Sequence, residues 1–310
     1  MFRRLLFLAA LALTFTGCIE FERQTMVYEH DAGADTLRIH QVYHGIHGAD
    51  DVTRLSDQER AQLASVMEGQ RTFFFSNWIS ELNVPLLRES LAGMGAPESN
   101  SLKEAERRAT TNLLALLVAN ARVENGKFFL NEKGQPCGTQ RITLRNVSQV
   151  IAAGNAVIRR HWEVVLKDKP TAEERELINA SLARPEPFLT LKGQQLRLRV
   201  PFPRAEFDKI GEEGPKMRTF ISEFIRQGGS ISHERGELHL QFGRPDTARE
   251  SVTLPMNGAK DFQPNALGHI RDTFGVAKDF SPEQERENFF RAPVPRPEKS
   301  PVPAGAAPGR

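Results

Sequence analysis

The histidines of this sequence are concentrated near its start. Four of the eight lie between positions 30 and 47: His30, His40, His44 and His47. Residues four apart on a β-strand share a face, so a strand here would place His40 and His44 side by side. With the carboxylates of Asp31 and Asp35 nearby, the imidazoles of His40, His44 and His47 are candidate ligands for zinc or copper. The spacing matches no recognised ligand pattern, and surface histidines in a polar region are the alternative.

A second group, His233-Glu234 and His239, resembles the start of a zinc-protease helix, in which two histidines lie four residues apart on one face. Here they are six residues apart with Gly236 between them, which excludes that motif. The sequence also lacks a Gly-x-Ser-x-Gly elbow, a phosphate-binding loop, a glycine-rich dinucleotide turn and a Cys-x-x-Cys pair. Catalysis is therefore not indicated, although a hydrolase whose site carries no motif stays open.

The first residues have the pattern of a secretory signal. Arg3 and Arg4 give a positive start, the apolar run 5–15 follows, and small residues precede Cys18. The run is too short for the roughly 20 residues that span a bilayer. We therefore expect residues 1–17 to be a signal peptide that is removed.

The end of this signal, Phe15-Thr16-Gly17-Cys18, resembles the lipobox of bacterial lipoproteins. The resemblance implies cleavage before Cys18, lipidation of its sulfur with diacylglycerol and a membrane anchor, since two or more acyl chains such as palmitate hold a protein stably. Ile19 stands where an Asp would retain an enteric lipoprotein in the inner membrane. The resemblance thus implies the outer membrane, facing the periplasm.

Composition limits the partners of the mature body. The chain has 41 Lys and Arg against 39 Asp and Glu, and loss of residues 1–17 removes Arg3 and Arg4 and makes the two counts equal. A neutral body argues against nucleic acid as a partner. An apolar content of 39% supports a folded core. After lipidation of Cys18, Cys137 would be the one remaining thiol, so no disulfide can form within the chain.

A β-hairpin followed by a helix recurs along the chain, over residues 24–68, 127–165 and 188–227. Turn residues separate the paired strands, and capping boxes at Ser56 and Thr171 start helices. The pattern predicts an α+β fold of antiparallel β-hairpins, each followed by a helix, with the helices covering one sheet face. Residues 73–75, three phenylalanines, predict a short buried strand, with membrane contact as the alternative.

The predicted division of the chain follows from these elements. After the signal come the lipidated cysteine with a short tether (18–23), an α+β domain or half (24–168), a second one (169–290) and a disordered, proline-rich basic tail (291–310).

The functional expectation is coarse. The sequence predicts a membrane-anchored envelope lipoprotein that is a non-catalytic binding or structural module, without a cofactor. An envelope protein or a cell-wall polymer is its expected partner. An envelope hydrolase without a readable motif and a histidine-based metal-binding lipoprotein are the alternatives.

Overall fold

The structure is a computed structural model and describes residues 19–48, 55–68, 82–94, 101–209, 215–255 and 275–294. Its strands are β1 (Ile19–Asp31), β2 (Thr36–Gly48), β3 (Ala121–Leu130), β4 (Pro136–Arg145), β5 (Leu189–Lys192), β6 (Gln195–Pro201), β7 (Ser230–Glu234), β8 (Glu237–Phe242) and β9 (Glu250–Pro255). Its helices are α1 (Asp57–Glu68), α2 (Val84–Gly93), α3 (Leu102–Asn120), α4 (Val147–Lys167), α5 (Ala172–Leu182), α6 (Arg204–Phe207), α7 (Pro215–Arg226) and α8 (Pro282–Arg291).

The strands form two antiparallel sheets. The first has five strands in the order β3-β4-β2-β1-β9, and the second has four in the order β5-β6-β8-β7. Hairpins build both sheets, and helices follow them along the chain. The predicted α+β class is confirmed.

Turn chemistry explains the first hairpin. The Asp31 carboxylate accepts a hydrogen bond from the backbone N–H of Ala34 at 2.9 Å, and Asp35 adopts a positive φ of 50°, which Asp tolerates better than most residues. The Asp35 carboxylate then accepts bonds from the backbone N–H and the hydroxyl of Ser148, at 2.8 and 2.7 Å. The same turn therefore connects the two strands of the hairpin and fixes the start of α4.

The predicted capping boxes are present. Glu59 accepts a bond from the backbone N–H of Ser56 at 2.7 Å and donates its own N–H to the Ser56 hydroxyl at 3.3 Å. Thr171 and Glu174 form the same reciprocal pair. Each box satisfies two backbone donors that a helix start otherwise leaves unpaired.

Two of the three apolar clusters among the described residues make up most of the core. In the first, Phe21 meets Tyr43 edge-on at 5.1 Å between ring centroids, and both pack with Ile46 and with Leu63 and Val66 of α1. The second cluster joins α4, α5 and the chain before β5, and its buried members are Trp162, Ile178 and Phe188.

Gln194, in the β5–β6 turn, joins the two sheets. Its side-chain oxygen accepts the backbone N–H of His30 at 2.6 Å, and its amide donates to the His30 carbonyl at 3.0 Å. Its own carbonyl accepts the Tyr28 hydroxyl at 2.6 Å. This contact buries Gln194 to 4% exposure, so its polar atoms are satisfied where they leave water.

The predicted tether over residues 18–23 is wrong for residues 19–23, which form the first part of β1. Ile19 and Phe21 are 4% and 3% exposed, and they pair with Gly48 and Ile46 of β2. They alternate with Glu20 and Glu22, which is the period of a half-buried strand.

The predicted division at residue 168 is wrong for two later segments. Strand β9 pairs with β1, for example Val252 with Met26, and α8 lies on β2 through His40 and Glu285. The chain therefore leaves the first sheet, builds the second and returns. The sequence of each segment can indicate that it is a strand, but it does not indicate which distant strand it pairs with.

Several predicted features lie outside the described residues: the signal peptide with Cys18, the phenylalanines 73–75 and residues 295–310 of the predicted tail. Within the described residues, none of the helices combines the length and the apolar character needed to cross a membrane.

Candidate functional site

One face of the first sheet is polar. Residues in register across antiparallel strands share a face, and two successive rows can be read from the pairing. The first row runs across β3, β4, β2 and β1 as Arg122, Thr143, Arg38 and Glu29; the second runs as Glu124, Arg141, His40 and Val27. Such a face needs polar partners wherever it is covered.

Helix α8 covers part of this face, and Arg38 holds its C-terminal end. The Arg38 guanidinium donates to the carbonyls of Phe289 and Ala292 at 3.2 and 2.9 Å and pairs with Glu29. It also lies 5.7 Å from the centroid of the Phe290 ring. A cation near a helix C-terminus and an aromatic face is favourable on both counts.

Glu285 holds the middle of α8. One of its oxygens lies 3.1 Å from Nε2 of His40, and Thr139 also hydrogen-bonds the carboxylate. Burial raises the pKa of the Glu285 carboxyl, but the hydrogen bonds from His40 and Thr139, with the nearby charge of Arg141, outweigh it, so the pKa lies below its ordinary value. The lack of a side chain at Gly126 makes room for the Glu285 carboxylate, since a Cβ there would lie 2.6 Å from one of its oxygens.

A cleft of about 1050 Å³ remains between α8, strands β3 and β4, and the C-terminal turn of α3. Among the described residues that line it, seven are basic: Arg38, Arg88, Arg122, Lys127, Arg141, Arg145 and Lys278. Three of the described lining residues are acidic: Glu124, Asp279 and Glu285. Phe280 and Phe289 add aromatic surface. The cleft is therefore strongly basic although the whole body is close to neutral.

Four of these cleft cations have no carboxylate partner among the described residues. Arg38 pairs with Glu29, and Arg122 lies 3.0 Å from Glu124. In contrast, four further cleft cations form no ion pair with a described residue: Arg88, Lys127, Arg141 and Lys278. Because these unpaired charges line one concave surface, they raise the local concentration of anions.

Arg141 is the most enclosed of the four. It is partly buried, whereas Arg88, Lys127 and Lys278 are exposed. Its Nε is shielded from water and has no hydrogen-bond partner within the described chain, and the same holds for Nε of Arg38 on the neighbouring strand. An unmade bond of a buried donor costs about 1–3 kcal/mol, and the same guanidinium lines the cleft, where an anion can interact with its charge. The arrangement can therefore bind an anion.

Glu285 is not suited to act as a general acid. A general acid at neutral pH needs a carboxyl with a raised pKa, and the pKa of Glu285 is shifted the other way. The Ser281 hydroxyl accepts the backbone N–H of Gln284 at 3.1 Å as the N-cap of α8. These groups hold the helix in place.

The three predicted metal ligands occupy separate environments. His40 is 1% exposed and bonded to Glu285, and Nε2 of His44 lies 3.1 Å from the Thr25 hydroxyl. His47 is 3% exposed, with Nδ1 2.8 Å from the Gly48 carbonyl. The surface alternative is thus wrong for His40 and His47.

Metal binding itself stays a prediction. In the part of the chain that the structure describes, no three or more His, Cys, Asp or Glu side chains are grouped to hold an ion. Burial lowers the pKa of His44 to about 4, with a smaller contribution from the charge of Arg23. The ring of His44 is therefore neutral near pH 7.

Sequence reasoning missed the basic cleft. A signal was available in β4, where Arg141, Thr143 and Arg145 alternate with Ile142 and Leu144. That alternation predicts one apolar face and one cationic face. The contributions of α2 and of the segment before α8 could not be read, because only the fold brings them to the same place.

Comparison with known proteins gives no further direction: no family model matches the chain, and neither a curated protein nor a solved structure was found to be significantly similar to it.

Proposed function

We propose that this protein is a lipid-anchored protein of the bacterial envelope whose body binds an anionic polysaccharide in the basic cleft without transforming it. The lipobox resemblance at Cys18 supports the anchor and the periplasmic side of the outer membrane. The cleft supports the binding role.

The observation that carries the proposal is the charge of the cleft, whose described lining has seven cations against three carboxylates along one surface. Pockets for small molecules usually measure about 300–1,000 Å³, and this one, at about 1050 Å³, lies just above that range. Its cations are spread over several elements instead of converging on one point, which suits a ligand that repeats its charge. Phe280 and Phe289 offer apolar contact between the charges. A carboxylate-bearing polysaccharide combines these properties.

A direct binding measurement tests this. Fluorescently labelled polygalacturonate should bind the purified protein, and neutral dextran of similar length should not. Affinity should fall as salt is added, because contacts with exposed charges are screened. Equal binding of the two polymers, or none of either, would contradict the proposal. Binding of an acidic protein in place of the polymer would favour the partner-protein alternative.

A matched pair of triple variants locates the binding. Arg88→Gln, Lys127→Gln and Lys278→Gln together remove three exposed cations of the cleft. The control removes three exposed cations elsewhere: Lys133, Lys192 and Arg197, each also changed to Gln. The cleft variant should bind polygalacturonate about tenfold more weakly, and the control should stay close to the wild type. Equal losses would indicate non-specific attraction.

The anchor has its own test. Protein extracted from its native membrane should have an intact mass that begins at Cys18 and includes acyl chains. A mass that retains residues 1–17, or that lacks acyl groups, would contradict lipidation at Cys18.

A further inference from the structure

The first strand begins at the residue after the proposed anchor. The backbone N–H of Ile19 donates to the side-chain oxygen of Gln62 in α1 at 3.1 Å, and Ile19 pairs with Gly48 of β2. Ile19 and Phe21 are both buried in the first core cluster. The chain is therefore part of the folded body from residue 19, and one residue spans only about 3.8 Å. An acylated Cys18 would leave no spacer between the body and the bilayer.

Strand pairing determines which surface shares this end of the sheet. Because neighbouring strands are antiparallel, the start of β1 lies beside the end of β2, and His44 of β2 lies beside Cys137 at the start of β4. The β3–β4 turn, residues 131–135, is therefore at this end. The β1–β2 turn, residues 32–35, is at the opposite end.

The near end carries exposed apolar surface. Leu130, the last residue of β3, is 43% exposed, and it adjoins a turn whose exposed charges are those of Glu132 and Lys133. An apolar side chain next to a short, charge-balanced turn suits the headgroup boundary of a bilayer. The far turn, Ala32-Gly33-Ala34, is exposed and itself has no comparable apolar side chain. The nearest one is Leu196 of the second sheet, which is 41% exposed and lies two residues from Gln194.

We propose that the protein stands on the membrane with the β3–β4 turn against the lipid surface and the β1–β2 turn pointing away from it. This orientation rests on the proposed lipidation of Cys18. The strand β1 has 13 residues, which at about 3.3 Å per residue places the two turns on the order of 40 Å apart.

The orientation also sets the direction of the cleft. Phe280, at one end, packs on Phe129 next to the near turn, at 5.2 Å between ring centroids. At the other end, Ala292 bonds Arg38, whose partner in β1 is Glu29 near the far turn. The cleft therefore runs away from the bilayer. This deepens the proposed function, since the ligand it fits is a polymer of the layer beyond the membrane and not a lipid headgroup.

The test uses the full-length lipidated protein with one added cysteine, Lys133→Cys near the membrane or Ala34→Cys at the far end. Both positions are exposed. The native Cys137 is 0% exposed, and burial raises its pKa to about 11, so its thiol should stay unlabelled. Each variant is labelled with a fluorophore and reconstituted into vesicles that contain lipids with a contact quencher.

The label at position 133 should be strongly quenched and the label at position 34 should not, relative to vesicles without the quencher. If the protein floats with the vesicles but both labels are quenched equally, or the label at position 34 is quenched more strongly, the proposed orientation is wrong and the anchor stands. Protein that fails to float would overturn the anchor at Cys18 and the orientation with it.

Discussion

Nε2 of His40 lies 3.1 Å from a carboxylate oxygen of Glu285, and this contact fastens the last described helix to the second strand across 245 residues of sequence. The pair is nearly enclosed, with side-chain exposures of 1% and 14%. Because α8 forms one wall of the basic cleft, the shape of the cleft depends on this contact.

Replacing the Glu285 carboxylate should make the protein less stable at neutral pH. Glu285→Gln keeps the shape but loses the charge, and we expect a loss of about 1–3 kcal/mol in the free energy of unfolding. The pKa of Glu285 is depressed in the folded state, so its contribution is present above the ordinary carboxyl pKa and is lost as the pH falls through the folded value.

Urea unfolding at pH 7 and at lower pH measures both effects. The wild type should lose stability below about pH 4.5, the ordinary value for this carboxyl, and Glu285→Gln should lose less over the same range. Glu176→Gln, which removes an exposed carboxylate of α5, is the control and should behave as the wild type. An unchanged acid response in Glu285→Gln would show that the contact contributes little.

His44 should make stability depend on pH in a higher window. Burial, with the charge of Arg23, lowers its pKa from 6.5 to about 4. Between these values the unfolded chain binds a proton that the folded chain does not, so stability should fall as the pH drops from about 6.5 toward 4.

Because the ring is partly exposed and its charge is screened by solvent, this loss should be smaller than the full shift implies, on the order of 1–2 kcal/mol, and His44→Gln should flatten it. Proton NMR of the His44 ring should give a midpoint near pH 4. A midpoint near 6.5 would mean that the ring is open to solvent.

The second sheet contains a buried ion cluster around Glu237. Glu237 is 1% exposed, accepts from Arg184 at 2.7 Å and from Arg199 at 2.5 Å, and also accepts the Ser181 hydroxyl. Removing one partner leaves the others as uncompensated buried charge, so Glu237→Gln should cost about 3–5 kcal/mol in unfolding by urea. Glu234→Gln, exposed at the end of β7, should cost far less. Similar losses for both variants would contradict the importance of the cluster.

Zinc or copper should leave the thermal stability of the metal-stripped protein unchanged at micromolar concentration. Nε2 of His40 is bonded to Glu285 and Nε2 of His44 lies beside Thr25, so binding a metal would have to break these contacts. A ligand that binds only the folded state raises its melting temperature. A rise that His44→Ala abolishes would instead support the metal-binding alternative.

Local features of this fold could be predicted from the sequence, because their causes are local. The capping boxes at Ser56 and Thr171 and the turns between paired strands depend on residues a few positions apart. Asn146 shows where such reasoning reaches its limit. It stands at the N-cap of α4, but its φ is 50° and its side chain makes no capping bond; its amide donates to Asn120 instead.

Features that depend on distant parts of the chain could not be predicted. The pairing of β9 with β1 and the position of α8 on β2 follow from tertiary packing, and neither leaves a periodic signal. The cleft depends on both local sequence patterns and tertiary packing. The alternation of Arg141 and Arg145 with apolar residues in β4 can be recognised in the sequence. The position of Arg88 and Lys278 beside that strand cannot, because only the fold brings them there.

The affinity of the Arg141→Gln variant for polygalacturonate tests the central claim most directly. Arg141 is the most enclosed unpaired cation of the cleft, and a charge-assisted hydrogen bond contributes about 1.5–3 kcal/mol. The variant should bind about tenfold more weakly or worse, and Arg141→Lys, which keeps the charge without the fork, should fall between it and the wild type. Arg197→Gln, exposed on the second sheet, is the matched control. If Arg141→Gln, folded as judged by an unchanged urea midpoint, bound as tightly as Arg197→Gln, the cleft would not be the binding site.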